Sequence, residues 1–207
     1  MTTSMAAAKR SSLPTIISGL RIVAGPVVAG LILYANGRVF SEGGADAAGI
    51  YAWATALFLI AALSDALDGY LARRLDAVTT FGAALDHVAD KVLLTCVLMA
   101  LAATVLPTDL IVAAILLVAR DVLIGGLREG LAQTGRAIPV GALGKWKTAL
   151  AFLGAGAALA LQPLALEQIA VEALPLLGII IRVALWGAVL AALVSGALYI
   201  GQALRRA

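Results

Sequence analysis

Six long runs of mostly apolar residues dominate this chain and restrict what it can fold into. A helix needs about 20 apolar residues to cross the hydrocarbon core of a bilayer, and each run approaches that length. The predicted spans are about 15–35, 50–73, 82–106, 109–133, 146–161 and 181–201. They predict one all-α integral membrane domain of six transmembrane helices over residues 1–207, with a short N-terminal segment 1–13.

Composition supports a membrane protein and argues against other classes. Hydrophobic residues make up 62% of the 207 residues, and the mean hydropathy is +1.03, whereas about half of a soluble domain is apolar. The net charge of +3 is modest and its basic residues are dispersed, so no nucleic-acid groove is expected. The only cysteine, Cys96, excludes an intrachain disulfide and lies in an apolar run typical of packing.

Polar and glycine-rich stretches separate the predicted spans. Residues 36–49 and 134–145 are predicted to be loops. Residues 163–175, which two glutamates interrupt, are expected to form a loop with a short interfacial helix. The link between the second and third spans is short, which predicts that these two spans are antiparallel neighbours.

Basic residues are concentrated on one side of the predicted topology, and Lys and Arg favour the cytoplasmic side. That side would carry Lys9, Arg10, Arg73, Arg74, Arg128, Arg136, Lys145, Lys147, Arg205 and Arg206. The other side would carry Arg38, Arg182, Glu42, Asp46, Asp109, Glu167 and Glu172. Both termini and the loop after the second span are therefore predicted to be cytoplasmic.

Four aspartates lie within the second and third apolar spans: Asp65, Asp68, Asp86 and Asp90. A charged group at membrane depth is costly and indicates a functional site. Helical periodicity puts each pair on one face of its span, near the same cytoplasmic end. Hard divalent cations prefer carboxylate oxygens, so the pattern predicts a site for Mg²⁺ or Mn²⁺.

The segment that holds these aspartates resembles the signature of a known family. It reads DALDGYLARRLDAVTTFGAALDHVAD and matches D-x2-D-G-x2-A-R-x8-G-x3-D-x3-D of the CDP-alcohol phosphatidyltransferases at all eight positions. The resemblance implies six membrane helices, a homodimer and two bound divalent metal ions. It also implies that an alcohol attacks the phosphorus next to diacylglycerol in CDP-diacylglycerol and releases CMP.

Roles for individual residues follow from this resemblance and from their chemistry. Asp90 is expected to accept the proton of the attacking hydroxyl, with Asp86 as the alternative base. Arg73 can contact a phosphate or the cytidine end of the donor, and small residues let another helix or a flat ligand approach the backbone. The residues expected to line the CDP-diacylglycerol site are Asp65, Gly69, Ala72, Arg73 and Gly82.

Segments outside the signature indicate which acceptor alcohol is expected. Residues 13–21, 119–129 and 144–148 are similar to the branch of the family that uses sn-glycerol 3-phosphate. This similarity implies formation of phosphatidylglycerophosphate and CMP at the cytoplasmic face of a bacterial inner membrane. The residues expected to bind the acceptor's phosphate are Arg120, Arg128, Lys145 and Lys147.

Several alternatives remain open at this point. Sibling enzymes that use inositol phosphate, serine or phosphatidylglycerol share the metal motif. A cation transporter would need polar residues across the membrane, but residues 51–60 and 95–106 are almost wholly apolar. Arg21 is as compatible with snorkelling to the membrane surface as with a place in the site. His87 is expected to neighbour the site without binding metal.

Overall fold

The computed structural model describes the backbone of residues 2–41, 46–74, 80–133 and 142–206, and the side chains of 16–40, 46–64, 84–133 and 143–205. In these parts the chain is helical apart from short turns. The helices are α1 (Thr2–Ser41), α2 (Ala47–Arg74), α3 (Thr80–Thr104), α4 (Thr108–Gln133), α5 (Ala142–Leu166) and α6 (Leu174–Arg206). A short 3₁₀ turn, Val171–Ala173, precedes α6.

Each of the six helices is long and apolar enough to cross a membrane, which confirms the predicted all-α architecture. Many large apolar side chains point outward: Trp53, Val122 and Leu204 are each at least 70% exposed. Such a surface would be a liability in water, but in a bilayer it contacts lipid.

The helices extend further than the polar residues suggested. The segment expected to be a loop from residue 36 remains helical to Ser41, and α5 begins at Ala142, inside the loop expected to run to residue 145. A backbone N–H or C=O has no water partner within the bilayer, so helices continue until they reach the interface. The predicted boundaries were wrong here because glycine and polar residues weaken a helix less than unsatisfied backbone groups do.

The connection between α5 and α6 is also shorter than predicted. Helix α5 includes Pro163 and ends at Leu166, so the first part of the expected loop is helical. The chain then turns through left-handed backbone at Gln168 (φ 55°) and Ala170 (φ 51°). The short helix expected in this region is the 3₁₀ turn Val171–Ala173.

Two helix pairs pack most extensively, α1 with α3 and α5 with α6. In each pair a glycine lies where the two helices come close together. A Cβ atom on Gly25 would lie 3.0 Å from Leu93 Cα, and one on Gly154 would lie 2.7 Å from Leu185 Cγ. Small residues at membrane helix interfaces allow this proximity.

In the described residues α2 and α3 have few mutual contacts, and the linked ends at which the two spans were predicted to pair lie largely outside the described side chains. Helix α1 packs against both, and α2 packs on α5, where the rings of Phe58 and Phe152 stack with centroids 5.7 Å apart. A short link fixes the directions of two helices but does not make them adjacent along their length. The arrangement places α1 against both signature-bearing helices.

Candidate active site

A buried arginine of α1 joins three helices at the signature. Arg21 is only 1% exposed, and its Nη1 donates to Oδ1 of Asp86 at 2.8 Å and to Oδ1 of Asp90 at 2.9 Å. On α2, its Nε donates to the carbonyl of Ala61 at 3.2 Å and its Nη2 to Ser64 Oγ at 3.4 Å. A side chain bound in this way does not reach toward the membrane surface, so Arg21 belongs to the site.

The two carboxylates of α3 lie one helical turn apart and share Arg21. Their side chains are 41% exposed at Asp86 and 23% exposed at Asp90. Ser18 of α1 also donates to Asp86 Oδ1, at 3.4 Å. Each carboxylate is thus anchored on its buried side and still accessible to a ligand.

The remaining signature residues of α2 have side chains outside the described set. These are Asp65, Asp68, Gly69, Ala72 and Arg73, and their backbone is helical. Ser64, which contacts Arg21, immediately precedes Asp65, so the start of this segment is anchored beside the α3 carboxylates. Gly82 lies on α3 one turn before Asp86. The convergence of all four aspartates stays a prediction.

The chemistry of the described carboxylates fits a divalent cation, because hard ions bind such oxygens. Among the described side chains, no group of three or more His, Cys, Asp or Glu residues comes together. Asp86 and Asp90 therefore provide half of the predicted ligand set, and a complete site requires the two aspartates of α2.

A second charged cluster joins α4, α5 and α6. Lys147 is 6% exposed, and its Nζ donates to both carboxylate oxygens of Asp121, at 2.7 and 2.6 Å. Arg120 Nη1 donates to Asp121 Oδ1 at 3.1 Å. The Nε atom of Arg120 donates to the carbonyl of Ala192 at 3.0 Å, and its Nη2 atom donates to Ser195 Oγ at 2.9 Å. Two cations predicted to bind the acceptor therefore already have protein partners.

A cavity of about 790 Å³ opens beside the α3 carboxylates, which is within the usual range for ligand sites. One wall is polar, formed by His87, Asp90, Arg128, Lys145 and Thr148. The other is apolar, formed by Phe58, Leu59, Ala62, Leu63, Ala149, Phe152 and Leu153. His87 borders the site as expected, with its Nε2 atom 3.5 Å from Arg128 Nη1.

Two smaller cavities lie between α3, α4 and α5, and residues of α6 also line the first. One, of about 90 Å³, has Lys91, Arg120, Asp121, Arg128 and Lys147 among its lining residues. The other, of about 70 Å³, shares Lys91, Asp121 and Lys147 with it and also includes Asp90. The predicted acceptor residues thus separate: Lys145 lines the large cavity, Arg120 and Lys147 line the small one, and Arg128 lines both.

Sequence reasoning gave no role to Asp121 or Lys91. The rule that selected the four signature aspartates, a charge inside an apolar span, applies equally to both residues. Arg21 was recognised but left undecided, because its partners are distant in sequence.

Comparison with known proteins places this arrangement in a defined class. The sequence pattern of the CDP-alcohol phosphatidyltransferase family matches residues 11–195, so the chain belongs to that family. Membership accounts for the signature shared by α2 and α3.

Individual relatives carry a more specific name. The chain is 37% identical over 154 residues to the CDP-diacylglycerol–glycerol-3-phosphate 3-phosphatidyltransferase of Cereibacter sphaeroides, a match that covers 70% of this chain and 65% of that protein. The protein of the same name from Rickettsia typhi is 36% identical over 141 residues, covering 67% of this chain and 71% of the relative. A chloroplastic/mitochondrial relative from Arabidopsis thaliana is 37% identical over 150 residues, covering 67% of this chain and 47% of its own length. The match therefore spans slightly under two thirds of the Cereibacter protein and about half of the plant one.

Proposed function

We propose that this chain transfers the phosphatidyl group of CDP-diacylglycerol to sn-glycerol 3-phosphate, giving phosphatidylglycerophosphate and CMP. The observation that carries the proposal is the large cavity, in which an apolar wall meets Asp90 and two cations. A lipid-linked nucleotide and a small phosphorylated alcohol need such a combination. The names of the relatives agree with this assignment.

The donor's diacylglycerol part fits the apolar wall between α2 and α5. Phe58 and Leu63 of α2 and Phe152 and Leu153 of α5 line this side, so the acyl chains keep the apolar surroundings that they have in the bilayer. The head group of the donor is proposed to lie toward Asp65, Gly69, Ala72, Arg73 and Gly82. Arg73 then supplies a charge-assisted contact to a phosphate.

Two divalent cations, Mg²⁺ or Mn²⁺, are the proposed cofactors, with Asp65, Asp68, Asp86 and Asp90 as their ligands. Bound there, they would neutralise the charge of the donor's pyrophosphate, which is the main requirement of phosphoryl transfer. The support is the oxygen chemistry and partial exposure of Asp86 and Asp90.

Asp90 is the proposed general base. It lines both the large cavity and the smaller one that contains Lys91 and Lys147. The acceptor's hydroxyl oxygen forms a bond to the donor's phosphorus, its proton passes to the Asp90 carboxylate, and the bond to CMP breaks with its electron pair leaving on CMP. Arg21 holds Oδ1 of Asp90 and so fixes the carboxylate that receives the proton.

The acceptor is proposed to lie between Asp90 and the cations of α4 and α5. Arg128 and Lys145 reach it from the large cavity, while Arg120 and Lys147, held by Asp121, contribute positive charge from the small one. Charge-assisted contacts to phosphate contribute about 1.5–3 kcal/mol each.

The membrane arrangement completes the proposal. The enzyme acts as a homodimer in a bacterial inner membrane, with both termini and the active site on the cytoplasmic side. The asymmetry of Lys and Arg supports this orientation. At the other end of the helices, Arg38 pairs with Asp46 at 3.1 Å and Arg182 with Asp109 at 3.0 Å.

An acceptor comparison tests the function directly. Purified protein in mixed micelles is given CDP-diacylglycerol and Mg²⁺ with glycerol 3-phosphate, inositol phosphate, serine or phosphatidylglycerol, and the lipid products are identified by mass spectrometry. We expect phosphatidylglycerophosphate and stoichiometric CMP, with little product from the other acceptors or from an Asp90→Asn control. Preferential use of inositol phosphate would overturn the acceptor assignment.

A further inference from the structure

Lys91 is a half-buried cation between the predicted base and the basic cluster. It follows Asp90 on α3 and lines both small cavities. Its three cationic neighbours each contact another side chain: Arg120 and Lys147 contact Asp121, and Arg128 lies next to His87. Within the described part of the chain, the Lys91 ammonium makes no hydrogen bond or ion pair.

The charge in this small cavity is unbalanced. Its described lining includes four cations, Lys91, Arg120, Arg128 and Lys147, and a single carboxylate, Asp121. Both oxygens of Asp121 already accept from Lys147. Like charges held this close repel one another unless an anion joins them. The cavity volume of about 90 Å³ equals roughly three waters at about 30 Å³ each, which suits a phosphate group.

The backbone of α4 leaves room for Lys91 at one position. A Cβ atom on Gly125 would lie 3.1 Å from Lys91 Nζ, whereas a Cβ on the next residue, Gly126, would have no neighbour within 4 Å. A methyl group at position 125 would therefore require the ammonium group to shift by a few tenths of an ångström. Gly126, which is exposed on the same helix, therefore provides a control position.

We propose that Lys91 is a further residue that recognises the phosphate of the acceptor and that the glycine at position 125 leaves room for its ammonium group. This inference rests on the proposed function and adds a specificity-determining residue to it. Because Lys91 is next to Asp90 and shares a cavity with it, a phosphate held there keeps the acceptor's hydroxyl close to the base. An alcohol without phosphate would leave the cavity's positive charge unbalanced and bind weakly.

Four variants test the inference in detergent-solubilised full-length protein. Lys91→Met removes the charge at similar volume, and Lys91→Arg retains it. Gly125→Ala adds a methyl group against Lys91, and Gly126→Ala adds the same group in open space. Binding of glycerol 3-phosphate, inorganic phosphate and uncharged glycerol is measured by calorimetry, and thermal unfolding is followed in parallel.

We expect Lys91→Met to weaken the binding of glycerol 3-phosphate and of inorganic phosphate by about ten- to hundredfold. Lys91→Arg should bind both anions with an affinity closer to that of the unsubstituted protein. Lys91→Met should unfold at the same or a higher temperature, because it relieves repulsion; a merely structural lysine would give the opposite shift. Gly125→Ala should weaken the binding of both anions several-fold, and Gly126→Ala should leave their affinities unchanged. Glycerol should bind poorly to every form.

Failure of this inference can be distinguished from failure of the proposed function. Normal phosphate binding by Lys91→Met, or equal effects of the two glycine substitutions, overturns the role of Lys91 whatever reaction the protein catalyses. Weakened phosphate binding by Lys91→Met and Gly125→Ala supports it even if the protein transfers no lipid to glycerol 3-phosphate, in which case only the acceptor assignment is lost.

Discussion

Arg21 Nη1 lies 2.9 Å from Asp90 Oδ1, and the arginine side chain has no exposed surface. The same nitrogen contacts Asp86, so one buried cation fixes both carboxylates of α3. Clustered carboxylates repel one another when no cation is bound. Arg21 therefore gives the site a permanent counter-charge that keeps these two side chains in position.

Replacing Arg21 should impair catalysis strongly. Arg21→Met leaves Asp86 and Asp90 without their shared partner. We expect kcat to fall at least about tenfold, because a general base contributes about a hundredfold or more and would be displaced but not removed. Arg21→Lys should recover little, because an ammonium cannot reproduce the guanidinium's contacts to two helices. The matched control is Arg38→Met, which breaks an exposed pair with Asp46 and should keep kcat. Equal kcat values for Arg21→Met and the unsubstituted enzyme would refute the positioning role.

The aspartates should show a common metal requirement. Single Asp→Ala substitutions at 65, 68, 86 and 90 should each reduce turnover at least about a hundredfold. Excess EDTA should abolish activity, and Mg²⁺ or Mn²⁺ should restore it, because the proposed site needs cations to neutralise its carboxylates. Asp109→Ala, which removes a carboxylate paired with Arg182, serves as the control and should remain active. Full turnover in EDTA would exclude the metal proposal.

The orientation in the membrane can be measured by cysteine labelling. In a Cys96→Ala background, single cysteines at Glu167 and Lys145 are exposed to a membrane-impermeant maleimide in intact cells. We expect labelling at position 167, and at position 145 only after permeabilisation, because basic residues favour the cytoplasmic side. Labelling of position 145 from outside would reverse the topology and move the proposed acceptor site to the wrong face.

The sequence was sufficient to predict features that depend on local periodicity. A bilayer requires long apolar helices, so six spans could be counted from hydropathy alone. Spacing along α3 likewise put Asp86 and Asp90 on one face, where the structure has them. Helix ends were less predictable, because the need for backbone hydrogen bonds inside the membrane stabilises a helix more than a single glycine destabilises it.

Partners distant in the chain could not be predicted in the same way. The carboxylates that bind Arg21 are 65 and 69 residues away, and Asp121 is 26 residues from Lys147. Whether a cation is available to a ligand depends on which carboxylate the packed helices bring beside it. The sequence therefore predicted Arg120 and Lys147 as residues that bind the acceptor's phosphate without indicating their contacts to Asp121.

The Asp121–Lys147 pair allows a structural role to be separated from acceptor binding. Asp121→Asn leaves Lys147, which is 6% exposed, without a carboxylate and should lower the unfolding temperature, because an unpaired buried charge is costly. Lys147→Met should raise the KM for glycerol 3-phosphate by roughly ten- to hundredfold, the equivalent of one lost contact to phosphate, with little change for CDP-diacylglycerol. Arg120→Ala should change the acceptor KM in the same direction.

The double substitution Asp121→Asn/Lys147→Met decides between the two roles. Removing both partners eliminates the uncompensated charge, so thermal stability should return toward that of the unsubstituted protein. The KM for glycerol 3-phosphate should stay high, because the cation that attracts phosphate is still missing. Arg182→Met, which breaks a pair at the opposite end of the bundle, should leave the KM unchanged and so controls for the loss of any ion pair. If the double variant instead regained both stability and a normal KM, Lys147 would serve only to hold α4 and α5 together, and acceptor binding would rest on Lys91, Arg128 and Lys145.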